Sequence, residues 1–104
     1  MASTLDRLAI WYRSQCDGDW EHTCGISIRS CDNPGWWVVI DLAGTALQDR
    51  AFTPISHEVD VNQHPVSEDW LHCHVRDGHW EGAGDSTKLE VIVESFLEWA
   101  ACEL

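Results

Sequence analysis

The sequence predicts a single α+β domain over residues 1–104, in which an N-terminal and a C-terminal helix pack on one face of a mainly antiparallel sheet of four to five strands. Apolar residues recur at helical spacing near the two ends of the chain, and they alternate with polar residues in the middle. The alternating segments are joined by short connections, which favour antiparallel pairing. Because each amphipathic helix needs an apolar surface, we expect both on one face, leaving the other face open.

The first helix is predicted to follow Ser3, which can cap it, with Asp6 in its first turn. Gly18 lies just past its end, where a left-handed residue is common. The apolar stripe of this helix is expected to consist of Leu5, Leu8, Ala9 and Tyr12.

Residues 18–42 predict a β-hairpin at the centre of the sheet. Two alternating segments, residues 20–29 and 36–42, are joined by Asp32-Asn33-Pro34-Gly35, in which proline and glycine favour a tight turn. One face of the hairpin is expected to build the core with Trp20, Ile26, Ile28, Trp36, Val38 and Ile40. The opposite face is expected to present Glu21, Trp37 and Asp41.

The later strand segments alternate less regularly between apolar and polar residues. Residues 52–61 alternate weakly, and Pro54 favours an edge strand or the beginning of one. Residues 69–76 alternate clearly, and Asp77-Gly78 then predicts a hairpin with a short return strand over residues 79–81. The segment Gly82-Ala83-Gly84 is expected to end the sheet.

Thr87 and Glu90 can form a capping box at the start of the last helix. Its expected apolar stripe consists of Leu89, Ile92, Val93, Phe96, Leu97 and Ala100. Its solvent side is expected to carry Glu90, Glu94 and Glu98.

The chain carries 18 acidic and 6 basic residues, a formal net charge of −12. Nucleic acid and anionic membranes are therefore poor partners, because each phosphate contact would work against that charge. A protein with a basic surface is favoured, since an acidic field would also steer its approach. An acidic surface that only keeps the protein soluble explains the composition equally well.

The sequence favours a cytoplasmic protein. The first residues lack the apolar run of a signal peptide, and no segment approaches the roughly 20 apolar residues of a membrane span. The five cysteines are odd in number and lack a CxxC spacing, which is typical of reduced thiols.

His72 and His74 lie two residues apart on one strand face, a spacing that can present two imidazoles to one metal ion. His22 and Cys24 repeat this spacing, but no HExxH, paired CxxC or carboxylate motif completes either pair. Cys73 points to the opposite face from its histidine neighbours, so we expect it to be buried and inert. We predict no catalytic residue, metal ligand or cofactor. We therefore expect His72 and His74 to be exposed strand residues.

Seven tryptophans are unusual in a chain of this length. The expected core takes Trp11, Trp20, Trp36 and Trp99, and the pattern leaves Trp80 unassigned. Trp37 and Trp70 fall opposite the apolar stripes of their strands. Outward tryptophans among carboxylates are typical of a protein-binding surface, and coverage by loops or by a homodimer partner is an equal alternative.

Several blocks of residues occur in the order that is typical of one family. They are Trp11-Tyr12, residues 16–22 (CDGDWEH), Gly25-Ile26, residues 32–36 (DNPGW), Ile40-Asp41-Leu42, Gly44-Thr45, Phe52, Asp69-Trp70, Cys73 and residues 81–84 (EGAG). On these residues the chain resembles the immunity protein 53 family of bacterial polymorphic toxin systems. Cys31 stands where that pattern has leucine, and His72, His74 and His79 lie outside it.

The resemblance implies a small cytoplasmic antidote, encoded beside a toxin, that silences the toxin by stoichiometric binding without enzymatic activity or a cofactor. We expect the toxin to have a basic surface, as a nuclease would. The predicted binding surface is the uncovered sheet face with its rim, formed by Asp19, Glu21, Trp37, Asp41, Asp69, Trp70 and Glu81. The alternatives are a small metal-binding protein or enzyme using His72 and His74, and a homodimeric interaction module.

Overall fold

A computed structural model describes residues 3–32 and 34–101, which form three helices and five strands. In chain order these are α1 (Thr4–Gln15), α2 (Trp20–Thr23), β1 (Ile26–Cys31), β2 (Gly35–Asp41), β3 (Ile55–His57), β4 (Leu71–Arg76), β5 (His79–Asp85) and α3 (Leu89–Ala101). Two residues named above, Asn33 in the predicted turn and the last of the five cysteines, Cys102, lie outside the described part of the chain.

The five strands form one sheet in the order β1-β2-β5-β4-β3, and every neighbouring pair is antiparallel. The predicted α+β class is confirmed. The predicted central position of the first hairpin holds for β2, which pairs with β5, whereas β1 lies at an edge. The edge position leaves Ile28 exposed, so its prediction as a core residue was wrong.

A tight turn joins β4 to β5, as the sequence predicts. Asp77 and Gly78 have φ angles of 53° and 80°. Positive φ at both central residues is the signature of a type I′ turn, whose twist matches that of the flanking strands. Arg76 therefore pairs with His79 at the closed end of the hairpin.

The core lies between the sheet and α3. Its fully buried side chains include Val38, Ile40, Leu42, Cys73, Trp80, Ile92, Val93 and Phe96. Helix α3 contacts β5 and β2, and α1 contacts α3. The apolar stripe predicted for α3 is confirmed, because four of its members are buried and Leu89 and Ala100 pack against the core.

The side of α1 that faces the core differs in part from the predicted one. Ser3 and Asp6 form the expected cap, but Leu5 is 62% exposed. Ala9 is exposed as well, whereas Leu8 is buried as predicted and Thr4 is buried beside it. Polar contacts with α3 explain this orientation, and they place Glu94, predicted on the solvent side, between the helices.

Most of these contacts involve Glu94, and the Thr4 hydroxyl also has Glu90 Oε2 within 3.3 Å. The hydroxyl of Thr4 donates to Glu94 Oε1 at 2.5 Å, and Arg7 Nη1 donates to both carboxylate oxygens at 2.8 and 3.0 Å. Charge-assisted bonds of this kind are short and orient their groups. They lower the pKa of Glu94 from its ordinary value.

The first predicted strand starts later than expected, because residues 20–23 form α2. Asp17 Oδ1 accepts hydrogen bonds from the amides of Asp19 and Trp20, at 2.9 and 3.0 Å. Such local bonds compete with strand pairing and start a helical turn. Trp20 still joins the core, and its indole N–H donates to the carbonyl of Ala43 at 2.9 Å.

Strand β5 extends through the segment that was expected to end the sheet. Gly82 lies beneath α3, where a Cβ atom would come within 2.6 Å of Ile92 Cγ2 and 2.7 Å of the Trp80 ring. Glycine is needed at this position because α3 lies so close to β5 that a side chain would not fit, and such close contacts are a known reason for glycine inside a strand. The prediction that the sheet ends at Gly82-Ala83-Gly84 was therefore wrong.

The buried carboxylate of Asp85 joins the end of β5 to two other segments. Its Oδ2 accepts from the Trp70 amide at 3.0 Å and from Lys88 Nζ at 2.8 Å. Its Oδ1 accepts from the amide and the hydroxyl of Thr87 at 2.8 and 2.6 Å. This arrangement replaces the predicted capping box of Thr87 and Glu90, and α3 begins at Leu89.

We expect the substitution Gly82→Ala to destabilise the fold by about 1–3 kcal/mol, because the added methyl group would overlap two fully buried side chains. Urea unfolding followed by tryptophan fluorescence measures this change. Gly25→Ala is the matched control, since a Cβ atom at residue 25 would meet nothing within 4 Å. Equal unfolding midpoints for the two variants would contradict the packing explanation.

Lys88 and Thr87, in that order, hold the pKa of Asp85 well below its usual 3.8. The stabilisation is therefore present above about pH 4 and is lost as the pH falls through the lower folded-state pKa. We expect Asp85→Asn to lower the melting temperature by several degrees at pH 7, with a smaller difference from the parent at pH 3. Thermal melts at both pH values test this, with the exposed Asp49→Asn as the control. A pH-independent difference would contradict it.

Candidate interaction surface

One face of the sheet is not covered by α1 or α3, and we call it the open face. The strand registers place Arg29, Trp37, Ala83 and His72 in one row across it. The next row contains Val39, Glu81 and His74. Because strand residues alternate, these side chains point away from the core formed by their neighbours.

A cleft of about 320 Å³ lies on the open face. Residues 63–65 form one side of it, and the strand residues Trp37, His72, His74 and Glu81 also line it. The cleft therefore combines aromatic rings, imidazoles, a carboxylate and a guanidinium, contributed by Trp37, Trp70, His64, His72, His74, Glu81 and Arg76. Of these residues, the sequence predicts Trp37, Trp70 and Glu81 as parts of the binding surface.

Trp37 is 37% exposed, as expected for an outward residue of β2. The guanidinium carbon of Arg29, on the neighbouring strand β1, lies 5.6 Å from the centre of its ring. This distance is typical of a cation–π contact. The ring is thus held in place from within the chain while a large part of it remains accessible.

Trp70 was predicted to be exposed, but it is only 6% exposed. It lies immediately before β4, where its amide donates to Asp85 and its ring stacks on His72 with centroids 6.0 Å apart. Together with Pro65 it also lines a second cleft of about 610 Å³ next to Asp85. Trp70 therefore lines both clefts as a buried residue and does not protrude from the surface.

Glu81 was also predicted on the surface, whereas its side chain is only 10% exposed. Its position in β5, between β2 and β4, explains the burial. Arg76 Nε lies 3.5 Å from Glu81 Oε2, and His74 Nε2 lies 3.7 Å from the same oxygen. Both separations are long for hydrogen bonds, so the carboxylate is weakly paired.

His72 and His74 are half-buried and stacked, with ring centroids 5.7 Å apart, so the expectation of exposed strand residues was wrong. Burial, and then the nearby His74, lower the pKa of His72. The Nδ1 atoms of both rings and Nε2 of His74 have no hydrogen-bond partner among the described residues. Within that part of the chain no group of three or more histidines, cysteines and carboxylates is arranged to hold a metal ion.

Cys73 is buried on the core side of β4, as predicted from the alternation. Burial raises the pKa of its thiol to about 12. The nucleophilic form of cysteine is the thiolate. Cys73 is therefore protonated at neutral pH and serves as a small apolar core residue.

The remaining predicted surface residues lie outside the cleft. Asp41 is engaged at one end of β2, where its Oδ2 accepts from the Gly25 amide at 2.8 Å and its Oδ1 lies 2.7 Å from His79 Nδ1. Asp69 is exposed and forms an ion pair with Lys88, and its Oδ2 lies 3.5 Å from His57 Nε2.

Glu21 does not lie on the sheet, which corrects its predicted placement, and Asp19 was predicted at the rim. Asp19 precedes α2, and Glu21 lies within it. The Glu21 carboxylate accepts from the amides of Asp17 and Gly18 at 3.0 and 2.9 Å. The local bonds that form α2 therefore remove Glu21 from the face on which strand alternation would place it.

A loop beside the cleft holds an apolar residue that the sequence analysis did not single out. Val61 is 98% exposed, at the tip of a loop closed by a bridge between Val59 and Pro65. Asp60 Oδ1 accepts from the amides of Asn62 and His64 at 2.8 and 3.0 Å, which orders the loop. The close sequence spacing of Asp60 and Asn62 is the signal that could have indicated this turn.

No helix in residues 3–32 and 34–101 has both the length and the apolar character needed to cross a bilayer.

Comparison with known proteins gives one match, to a family model that covers most of the chain. No curated protein sequence and no solved structure matches it. The family model described as immunity protein 53 matches residues 5–101. Because this match extends over nearly the entire sequence, the chain belongs to the immunity protein 53 family.

Proposed function

We propose that this protein neutralises a cognate toxin by binding it stoichiometrically through the open face. Membership of an immunity protein family implies a toxin as partner and an inhibitory rather than an enzymatic role. The observation that carries the choice of surface is Trp37, an accessible aromatic ring in a cleft on the face that the helices leave uncovered.

Aromatic side chains are the commonest anchors of protein interfaces because they bury a large area with few rotatable bonds. Arg29 reduces the motion of the Trp37 ring further by lying over it. A ring that is already ordered loses little entropy on binding. Trp37 therefore contributes more to affinity than any single exposed carboxylate, since exposed ion pairs contribute about 0–1 kcal/mol each.

The charge of the chain supports a toxin with a basic surface. With a net charge of −12, the protein attracts cationic surfaces and repels nucleic acid. A nuclease presents a basic groove to its substrate, so an acidic inhibitor can occupy or flank that groove with carboxylates in place of phosphates. We include a nuclease in the proposal as the toxin class that this charge fits best, acting within the cytoplasm of the producing cell.

We expect Trp37→Ala to weaken toxin binding by about 2 kcal/mol or more, roughly thirtyfold in Kd, because it removes the accessible anchor. Isothermal titration with the toxin encoded by the neighbouring gene, together with co-expression survival, measures the loss. Ile10→Ala is the matched control, since Ile10 is more exposed than Trp37 but lies on α1.

Unchanged affinity and full protection by Trp37→Ala would show that another surface binds the toxin. Light scattering of the free parent protein distinguishes the homodimer alternative. A dimer that becomes monomeric on Trp37→Glu substitution would assign the open face to a second copy of the chain.

We also expect the association rate with the toxin to fall by about tenfold or more when NaCl is raised from 50 to 500 mM, because long-range attraction is screened. The dissociation rate should change far less. Stopped-flow fluorescence at several salt concentrations measures both rates. An association rate that does not depend on salt would contradict the proposed basic surface.

A further inference from the structure

We infer that the cleft on the open face is a subsite for one arginine side chain of the toxin, whose guanidinium is bound by Glu81 beside Trp37 and the stacked histidines. This inference rests on the proposed function and adds the chemistry of the group that the cleft takes. Four properties of the cleft support it: a weakly paired carboxylate, unpartnered imidazole nitrogens, a cation-binding aromatic ring and a small volume.

The carboxylate of Glu81 is the first of these properties. Its side chain is 10% exposed, yet its contacts with Arg76 and His74 measure 3.5 and 3.7 Å. Arg76 itself is 65% exposed, so its guanidinium remains largely in water at the rim of the cleft. A mostly buried carboxylate is unfavourable unless it is closely paired and hydrogen-bonded, so a second cation is favoured at this position.

The histidine pair adds acceptors for hydrogen bonds. Because burial lowers the pKa of His72, this imidazole is neutral at pH 7 and keeps one ring nitrogen as an acceptor. Three nitrogens of His72 and His74 lack partners within the described part of the chain, although buried polar atoms nearly always have one. A neutral imidazole accepts at one ring nitrogen and donates at the other, so the pair offers at most two acceptors to the five N–H donors of a guanidinium.

The aromatic rings favour arginine over lysine. Trp37 already holds the guanidinium of Arg29 at 5.6 Å from its centre, which shows that the ring can accommodate such a group. His72 and His74 are stacked with 14° between their planes, next to Trp70 at 26°. An exposed aromatic ring such as that of Trp37 suits a planar guanidinium better than a compact, strongly hydrated ammonium.

The size of the cleft limits what it can bind. Its volume of about 320 Å³ lies at the lower end of the range for small-molecule sites. A cleft of this size receives one long side chain, while the rest of the toxin surface contacts its rim. The negative net charge of the chain attracts a cation toward it and disfavours an acidic side chain.

A probe that needs no toxin provides the first test. The full chain, labelled with ¹⁵N, is titrated with N-acetyl-arginine methylamide, while ring nitrogens of His72 and His74 and the indole of Trp37 are followed by NMR. We expect saturable shifts at these three residues with the arginine probe. The matched citrulline compound, which is nearly the same shape but uncharged, should cause none.

Two variants locate the site within the chain. Glu81→Gln keeps the shape of the side chain and should weaken probe binding by at least about tenfold. Glu98→Gln removes one exposed carboxylate from α3, on the other side of the sheet, and should leave the titration unchanged. No saturable shift at the cleft in the parent protein, or equal shifts with citrulline, would overturn the inference without reliance on any variant.

The second test uses the toxin. Glu81→Gln should weaken toxin binding by at least about tenfold relative to Glu98→Gln, with both variants folded by circular dichroism. If Trp37→Ala impairs toxin binding and Glu81→Gln does not, the arginine subsite is overturned while the proposed function stands. If the parent protein does not bind or neutralise the toxin, the proposed function fails, and the probe titration alone decides whether the cleft binds a guanidinium.

Discussion

The close approach of α3 to β5 decides which side of the sheet is closed and which remains available. Gly82 permits this approach, because a Cβ atom at that position would overlap Ile92 and the Trp80 ring. Once α3 covers this side, α1 is held against α3 by the contacts of Thr4 and Arg7 with Glu94. Both helices therefore use the same face of the sheet. None of the helices formed by residues 3–32 and 34–101 covers the opposite face, and its side chains are left to form the cleft.

The same alternation explains why the cleft holds polar groups deep in a sheet. Glu81 and Gly82 are neighbours in β5, so the residue beside the closest helix contact points directly into the open face. Glu81 has a paired strand on each side and its side chain is mostly buried, while its charged end lies near His74 and Arg76. Asp85 links the end of β5 to both neighbouring segments. It accepts hydrogen bonds from the amide of Trp70, just before β4, and from the amide of Thr87, just before α3. The core and the cleft are thus two results of one packing arrangement.

Sequence reasoning found the features that depend on local periodicity and turn chemistry. The stripe of α3, the burial of Cys73 and the turn at Asp77-Gly78 follow from spacing and residue type alone. It missed features set by contacts between distant segments. Glu81 and Trp70 look like surface residues until the pairing of β5 with β2 and β4 is known, and the glycines of β5 look like a break until α3 lies above them. Residues 20–23 form α2 because local hydrogen bonds overrode the strand alternation there, and Glu21 is therefore not on the sheet. Of the predicted surface residues, Trp37 alone is both on the open face and substantially accessible.

The pairing of β2 with β5 also has a consequence for how the chain folds. The other sheet contacts of these strands are within hairpins, β1 with β2 and β4 with β5, and such hairpins form in microseconds because their loops are short. The central ladder instead joins Asp41 to His79 and Gly35 to Asp85, so it closes loops of several tens of residues. The entropy of that closure is lost before the core contacts form, so we expect the pairing of β2 with β5 to be slower than the formation of either hairpin. The open face spans all of these strands, so it is complete only when this long-range contact has formed.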